Sequence, residues 1–111
     1  MNKTTITAAT VAATLLLPVT GEAHHLSTLP NGKRWLRVAA CESTLRWHLD
    51  GLYDGGLQFS PATWNRAKRA YRPARRYRYA YQAPARTQII VAERLRRRSG
   101  LQHWPVCKRY W

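Results

Sequence analysis

The chain has 111 residues, with 19 Lys or Arg against five Asp or Glu, and a net charge of +14 at neutral pH. That length leaves room for one small domain, and its two cysteines allow at most one disulfide. The long apolar stretch, Ile6 to Leu17, is too short to span a bilayer.

Residues 1–23 read as an export signal. Lys3 precedes the apolar stretch, and Pro18 and a small-residue site at Gly21-Glu22-Ala23 follow it. Removing them deletes one base and one acid, so a mature domain of residues 24–111 keeps the charge of +14. A domain of this size buries only about 60–65% of its unfolded surface, and a covalent staple is expected. In an exported chain Cys41 and Cys107 are expected to form it, contributing about 4 kcal/mol through the loop they close. Metal ligation by His103 and Cys107 is the weaker alternative, because the ligand set is poor. No metal and no cofactor are expected.

Taken in order, residues 24–33 form a polar lead-in with turn chemistry at Pro30-Asn31-Gly32. From Arg34 to Ser43, Trp35, Val38, Ala39 and Glu42 fall at i, i+3, i+4 and i+7 and share one helical face. Glu42 is the charged member of that face. At the edge of the core, burial favours its protonated form and suits it to acid catalysis. On this helix alone the plainer reading is a partly solvated glutamate at a helix end.

Asp50 to Phe59, punctuated by Gly51, Gly55 and Gly56, predicts two short strands and a turn. Ser60-Pro61 supplies an N-cap and first helical residue for a helix through Trp64 to about Ala70. Residues 68–86 interleave basic residues with four tyrosines and two prolines, a run able to track a polyanion or to serve as a solvated surface loop. A last helix is predicted over Thr87 to Arg98, with Ile90, Val91 and Leu95 inward, Glu93 paired with a neighbouring arginine, and Gly100 as its stop. Leu101 to Trp111 then carries Trp104 and Cys107 back to the core. The fold class is α+β, mainly helical, with a short β-hairpin and one disulfide.

The order of motifs resembles the resuscitation-promoting factors, a transglycosylase-like family with a lysozyme-like catalytic domain. The resemblance rests on Trp35, Val38, Ala39 and Cys41-Glu42-Ser43, then Gly55 to Phe59 with Thr63-Trp64. It continues through Gln88, Ile89 and Val91 to Arg94, and ends with Trp104 to Cys107. It implies a secreted, wall-located enzyme that cleaves the β-1,4 bond between N-acetylmuramic acid and N-acetylglucosamine in peptidoglycan glycan strands. Glu42 matches the family's catalytic glutamate, and Cys41 with Cys107 its disulfide. Where the family continues Gly-Gly-Asn-Trp after Cys-Glu-Ser, this chain has Thr44-Leu45-Arg46-Trp47. A sugar-lining segment of the family is here reduced to His48 to Leu52.

Candidate substrate contacts are Gln58, through its amide, and Trp47, Tyr53 and Trp104 as sugar platforms, while Trp35 and Trp64 are expected in the core. Asp54 is either a second carboxylate near the site, favouring hydrolysis, or a turn residue, with the turn reading ahead. Anionic wall polymers are candidate partners for the basic loop, as is a second wall hydrolase for the domain. The rival class is a non-catalytic cationic wall-binding or antimicrobial protein on the same fold; nucleic-acid binding ranks third.

Overall fold

The computed structural model of the protein describes residues 21–111. The expected export signal lies outside them except for Gly21 to Ala23, which open helix α1 (Gly21–Ser27). Helix α2 (Gly32–Ser43) starts two residues earlier than the apolar spacing predicts and ends where it predicts. Its face is as read: Trp35, Val38 and Ala39 are fully buried and Glu42 is half-buried. Helix α3 (Pro61–Ala67) is capped by Ser60, whose side chain accepts the Thr63 N–H at 3.1 Å, and tightens into a 3-10 turn at Lys68–Ala70. Further 3-10 turns at Arg72–Ala74 and Ala80–Gln82 lead to helix α4 (Ala85–Ser99), and a last one spans Cys107–Tyr110. Gly100 stops α4 at φ 75°, where its N–H still reaches the Arg96 carbonyl at 2.7 Å.

The mainly helical expectation holds, but the β-hairpin does not. Asp54 and Phe59 exchange backbone hydrogen bonds of 2.8 and 2.9 Å as one antiparallel bridge, and no strand extends from it among the described residues. The groups that a ladder needs are engaged elsewhere. The Gly56 N–H goes to Gln88 Oε1 at 2.9 Å, the Leu57 carbonyl accepts Trp104 Nε1 at 2.9 Å, and the Gly55 N–H goes to the Leu49 carbonyl at 2.8 Å. Gly55 and Gln58 also both have positive φ, so the strip curls instead of extending.

Tryptophans form the centre of the core. Trp35, Trp64 and Trp104 are essentially buried, and Trp35 meets Trp104 and Trp111 edge to face at 4.7 and 4.8 Å. Phe59 joins them, 5.2 Å from Trp64 and 5.9 Å from Trp104. One carboxylate is set into this layer. Glu93 on α4, 4% exposed, accepts hydrogen bonds from Trp35 Nε1 and Asn31 Nδ2, both 3.0 Å, and from the guanidinium groups of Arg96 and Arg97. It thereby ties α4 to both the start and the first turn of α2. Cys41 and Cys107 form the disulfide, with Cα atoms 5.7 Å apart, and fasten the end of α2 to the C-terminal turn.

Candidate active site

The last turn of α2 presents Glu42, and the segment that follows fixes its surroundings. Ser43 is buried; its hydroxyl donates to the Gly56 carbonyl at 2.9 Å and accepts the Arg46 N–H at 3.0 Å. The helix stops with Thr44 and Leu45 both left-handed, at φ 55° and 64°, their N–H groups returning to the Ala40 and Ala39 carbonyls. This is the geometry of a glycine-type C-cap, built here without glycine.

Across from Glu42 stands the Gly55–Phe59 strip, held from behind by buried Gln88. One amide serves three segments: Oε1 accepts the Gly56 N–H, while Nε2 donates to the carbonyls of Trp47 at 2.8 Å and Ala83 at 2.9 Å. Gly56 is required there, because a Cβ would lie 2.3 Å from Trp47 Cε3. Gln58, left-handed at φ 53°, turns its side-chain amide back to donate to the Gly55 carbonyl at 2.8 Å. The third wall comes from the C-terminus, carried to the end of α2 by the disulfide.

Together these walls enclose an open cavity of about 400 Å³ lined by Glu42, Tyr53, Gln58, His103 and Pro105 to Cys107. A smaller polar cavity of about 70 Å³ adjoins it behind Tyr53, Gln58 and His103, reaching Ser60, Thr63 and Trp104. Burial pushes the Glu42 carboxyl above the ordinary carboxylate range. The negative end of the α2 dipole acts in the same direction. Among the described residues no donor reaches that carboxyl. His103 is shifted the other way, held below the ordinary imidazole range by burial and by the charge of Arg66. Both shifts favour the uncharged form of the group, the acid for Glu42 and the neutral imidazole for His103.

Of the residues singled out from sequence, Glu42, Gln58 and Tyr53 line one cavity. Trp104 touches only the smaller one and is 1% exposed, with its indole N–H committed to Leu57. Trp47 lies on Gly56, behind the strip. Asp54 is 2% exposed and faces a different cavity, with Asp50, Gly51, Pro61, Tyr79 and Tyr81. Its Oδ1 accepts the Gly51 N–H at 3.4 Å, and burial raises its pKa against that bond. From sequence, His103 offers only a poor metal ligand. Its sequence separation of 61 residues from Glu42 hid its place in the cavity wall, and the nearby Trp104-Pro105-Val106-Cys107 motif was the available signal.

The family model described as a transglycosylase-like domain matches residues 30–107. The chain is also 40% identical over 98 residues to resuscitation-promoting factor Rpf1 of Corynebacterium glutamicum, a match covering 86% of this chain and 45% of that protein. It is 40% identical over 86 residues to RpfC of Mycobacterium tuberculosis, covering 75% of this chain and 54% of that one. For RpfE of the same species the values are 38% over 77 residues, 68% and 41%. The chain thus spans about half the length of these curated relatives. The matched region runs from the turn before α2 to the second cysteine of the disulfide and takes in every wall of the Glu42 cavity: the chain belongs to the transglycosylase-like domain family.

Proposed function

We propose that this domain is a secreted, lysozyme-like enzyme that cleaves the β-1,4 bond between N-acetylmuramic acid and N-acetylglucosamine in peptidoglycan, with Glu42 as acid and then base. The carrying observation is that Glu42 is the one carboxylate lining its cavity among the described residues, half-buried, without a donor and with a raised pKa. Burial biases a group so placed toward its protonated form, and that form can give its proton to the glycosidic oxygen as the bond breaks and charge develops at the muramic C1. With no second carboxylate lining the cavity, the nucleophile is best taken from the substrate. The muramic C6 hydroxyl attacks C1 and passes its proton to the Glu42 carboxylate, which leaves a 1,6-anhydro ring and restores the acid. Gln58 and Tyr53 line the same cavity as hydrogen-bonding and stacking contacts for the sugar. Asp54 serves the turn.

The test is muropeptide release from purified peptidoglycan by the oxidised protein and by Glu42→Gln, with mass spectrometry of the products. The wild type should release anhydro-ended fragments and the variant none. Because burial disfavours the charged carboxylate, Glu42→Gln should melt at or above the wild-type temperature at pH 7, a gain that disappears below about pH 4.5. Equal release by both proteins would remove Glu42 from the chemistry; reducing ends would replace the muramic hydroxyl with water. The charge of +14 favours a second reading, a cationic wall-binding protein without activity. Tight wall binding with no release from either protein would select it.

A further inference from the structure

The basic segment 68–86 carries exposed charges on a backbone anchored to the core. Its tyrosines and alanines alternate with its arginines as anchors. Ala74, Ala80 and Ala83 are fully buried, and Tyr71 and Tyr77 pack against the core. The Tyr77 carbonyl accepts both Trp64 Nε1 at 2.9 Å and Lys68 Nζ at 3.0 Å, and Arg75 binds the Arg69 carbonyl through two nitrogens. On this scaffold Arg69, Arg72, Arg75, Arg76 and Arg78 are exposed. Arg76 and Arg78 rest over the rings of Tyr77 and Tyr79, which orients their guanidinium planes without neutralising them.

Among the described residues none of these charges is paired with a carboxylate. The ion pairs among the described residues both use Glu93, with Arg96 and Arg97. Like charges fixed side by side repel one another, and an anionic polymer relieves that repulsion. The planar fork of arginine suits phosphate oxygens. Beside the arginines, Tyr79 and Tyr81 stack at 5.9 Å with planes 16° apart and line a cavity with Asp50 and Asp54. Carboxylates there repel phosphate but accept hydroxyls, which fits units that alternate hydroxyl-rich and phosphate groups. A lipid surface fits poorly, since the exposed large apolar residues, Leu45, Leu52, Tyr53, Val106 and Tyr110, all lie outside the segment.

The segment is also joined to the back of the Gly55–Phe59 strip, whose Gln58 lines the Glu42 cavity. His48 Nδ1 meets the Tyr81 carbonyl at 2.8 Å, and Gln88 links Ala83 at the end of the segment to Trp47 and Gly56 behind the strip. We propose that residues 68–86 form a preorganised binding surface for the phosphodiester backbone of a sugar- or polyol-phosphate polymer carried on the wall, holding the domain beside its glycan strand. The proposal rests on the reading that the domain works at peptidoglycan.

The experiment is co-sedimentation of the oxidised full chain with sacculi that carry such a polymer, and with the same sacculi after hydrofluoric acid has cleaved the phosphodiesters. Arg69→Gln/Arg72→Gln/Arg76→Gln removes three side chains that make no hydrogen bond among the described residues. Lys33→Gln/Arg98→Gln/Lys108→Gln removes the same charge elsewhere. Stripping the polymer should weaken wild-type binding by roughly tenfold or more, and the first triple variant should match that loss and lower the slope of log affinity on log salt by about 2. The second should stay within about threefold of wild type. Equal binding to intact and stripped sacculi, equal losses in the two variants, or tighter binding to duplex DNA or anionic vesicles than to the intact wall would overturn the proposal. Muropeptide release from stripped sacculi separates the two readings. It should be unchanged in the first variant, and its absence in wild type with polymer binding intact would remove the enzyme and leave the surface.

Discussion

Glu93 makes the acid stability of this protein calculable. Burial alone raises its pKa, but hydrogen bonds from Arg96, Trp35 and Asn31, with the charge of Arg96, outweigh burial and bring it from 4.5 down to about 2. At about 1.4 kcal/mol per pH unit, that depression corresponds to about 3 kcal/mol of folding stability. The sign follows from proton counts. Between about pH 2 and 4.5 the unfolded chain holds a proton on this residue and the folded chain does not, so stability falls as pH falls through that window. Glu93→Gln keeps the shape and an acceptor for Trp35, but it removes the charge facing Arg96 and Arg97. Urea unfolding of both proteins from pH 7 to pH 2 should show the variant less stable by about 3 kcal/mol at pH 7 and the gap closing towards pH 2, and thermal unfolding at pH 7 should show a Tm lower by about 15 °C. The raised pKa values of Glu42 and Asp54 oppose this trend but are common to both proteins and cancel in the difference. A gap that stays constant down to pH 2, or one below about 0.5 kcal/mol at pH 7, would refute the linkage argument.

Replacing Cys41 and Cys107 together with serine opens a 66-residue loop and should cost about 4 kcal/mol in urea unfolding; a loss below about 1 kcal/mol would show that the unfolded chain is already compact. Gly56→Ala drives a methyl into the Trp47 ring and should cost about 1–3 kcal/mol with a shift in tryptophan fluorescence. Gly51→Ala is its control: the nearest atom is the Tyr53 carbonyl at 3.5 Å, and the change should stay within about 1 kcal/mol.

What could be read from the sequence was local. The spacing of Trp35, Val38, Ala39 and Glu42 places three of them inside and leaves the fourth at the boundary, because a helical period needs no partner to be visible. Ser60-Pro61 and Gly100 announce helix ends through their own backbone chemistry. What escaped was set at long range. Glu93 was expected beside an arginine, and it does pair with Arg96 and Arg97; but its bonds to Asn31 and Trp35 cross 62 and 58 residues. The expected strands at Asp50 to Phe59 failed because Gln88 and Trp104, distant in sequence, take up the backbone groups that pairing needs. The Gly-Gly pattern suits a hairpin and a side-chain-clamped turn equally well. Only the clamp distinguishes them.

The exit from α2 has a mechanical meaning. In the family pattern two glycines follow Cys-Glu-Ser, and glycine enters the left-handed region freely. Thr44 and Leu45 occupy that region with full side chains, at a conformational cost of about 1–2 kcal/mol each. Glycines at this point would form a slack joint, free to sample many directions at little cost. The Thr-Leu pair instead forms a tensioned one: the chain leaves the helix in one direction, held by the bonds from Ser43 to Gly56 and Arg46. Rigidity at the Glu42 end of the cleft thus comes from side chains that narrow the exit's conformational range and from the Ser43 bonds that hold it there, and the rest of the fold sustains the strain.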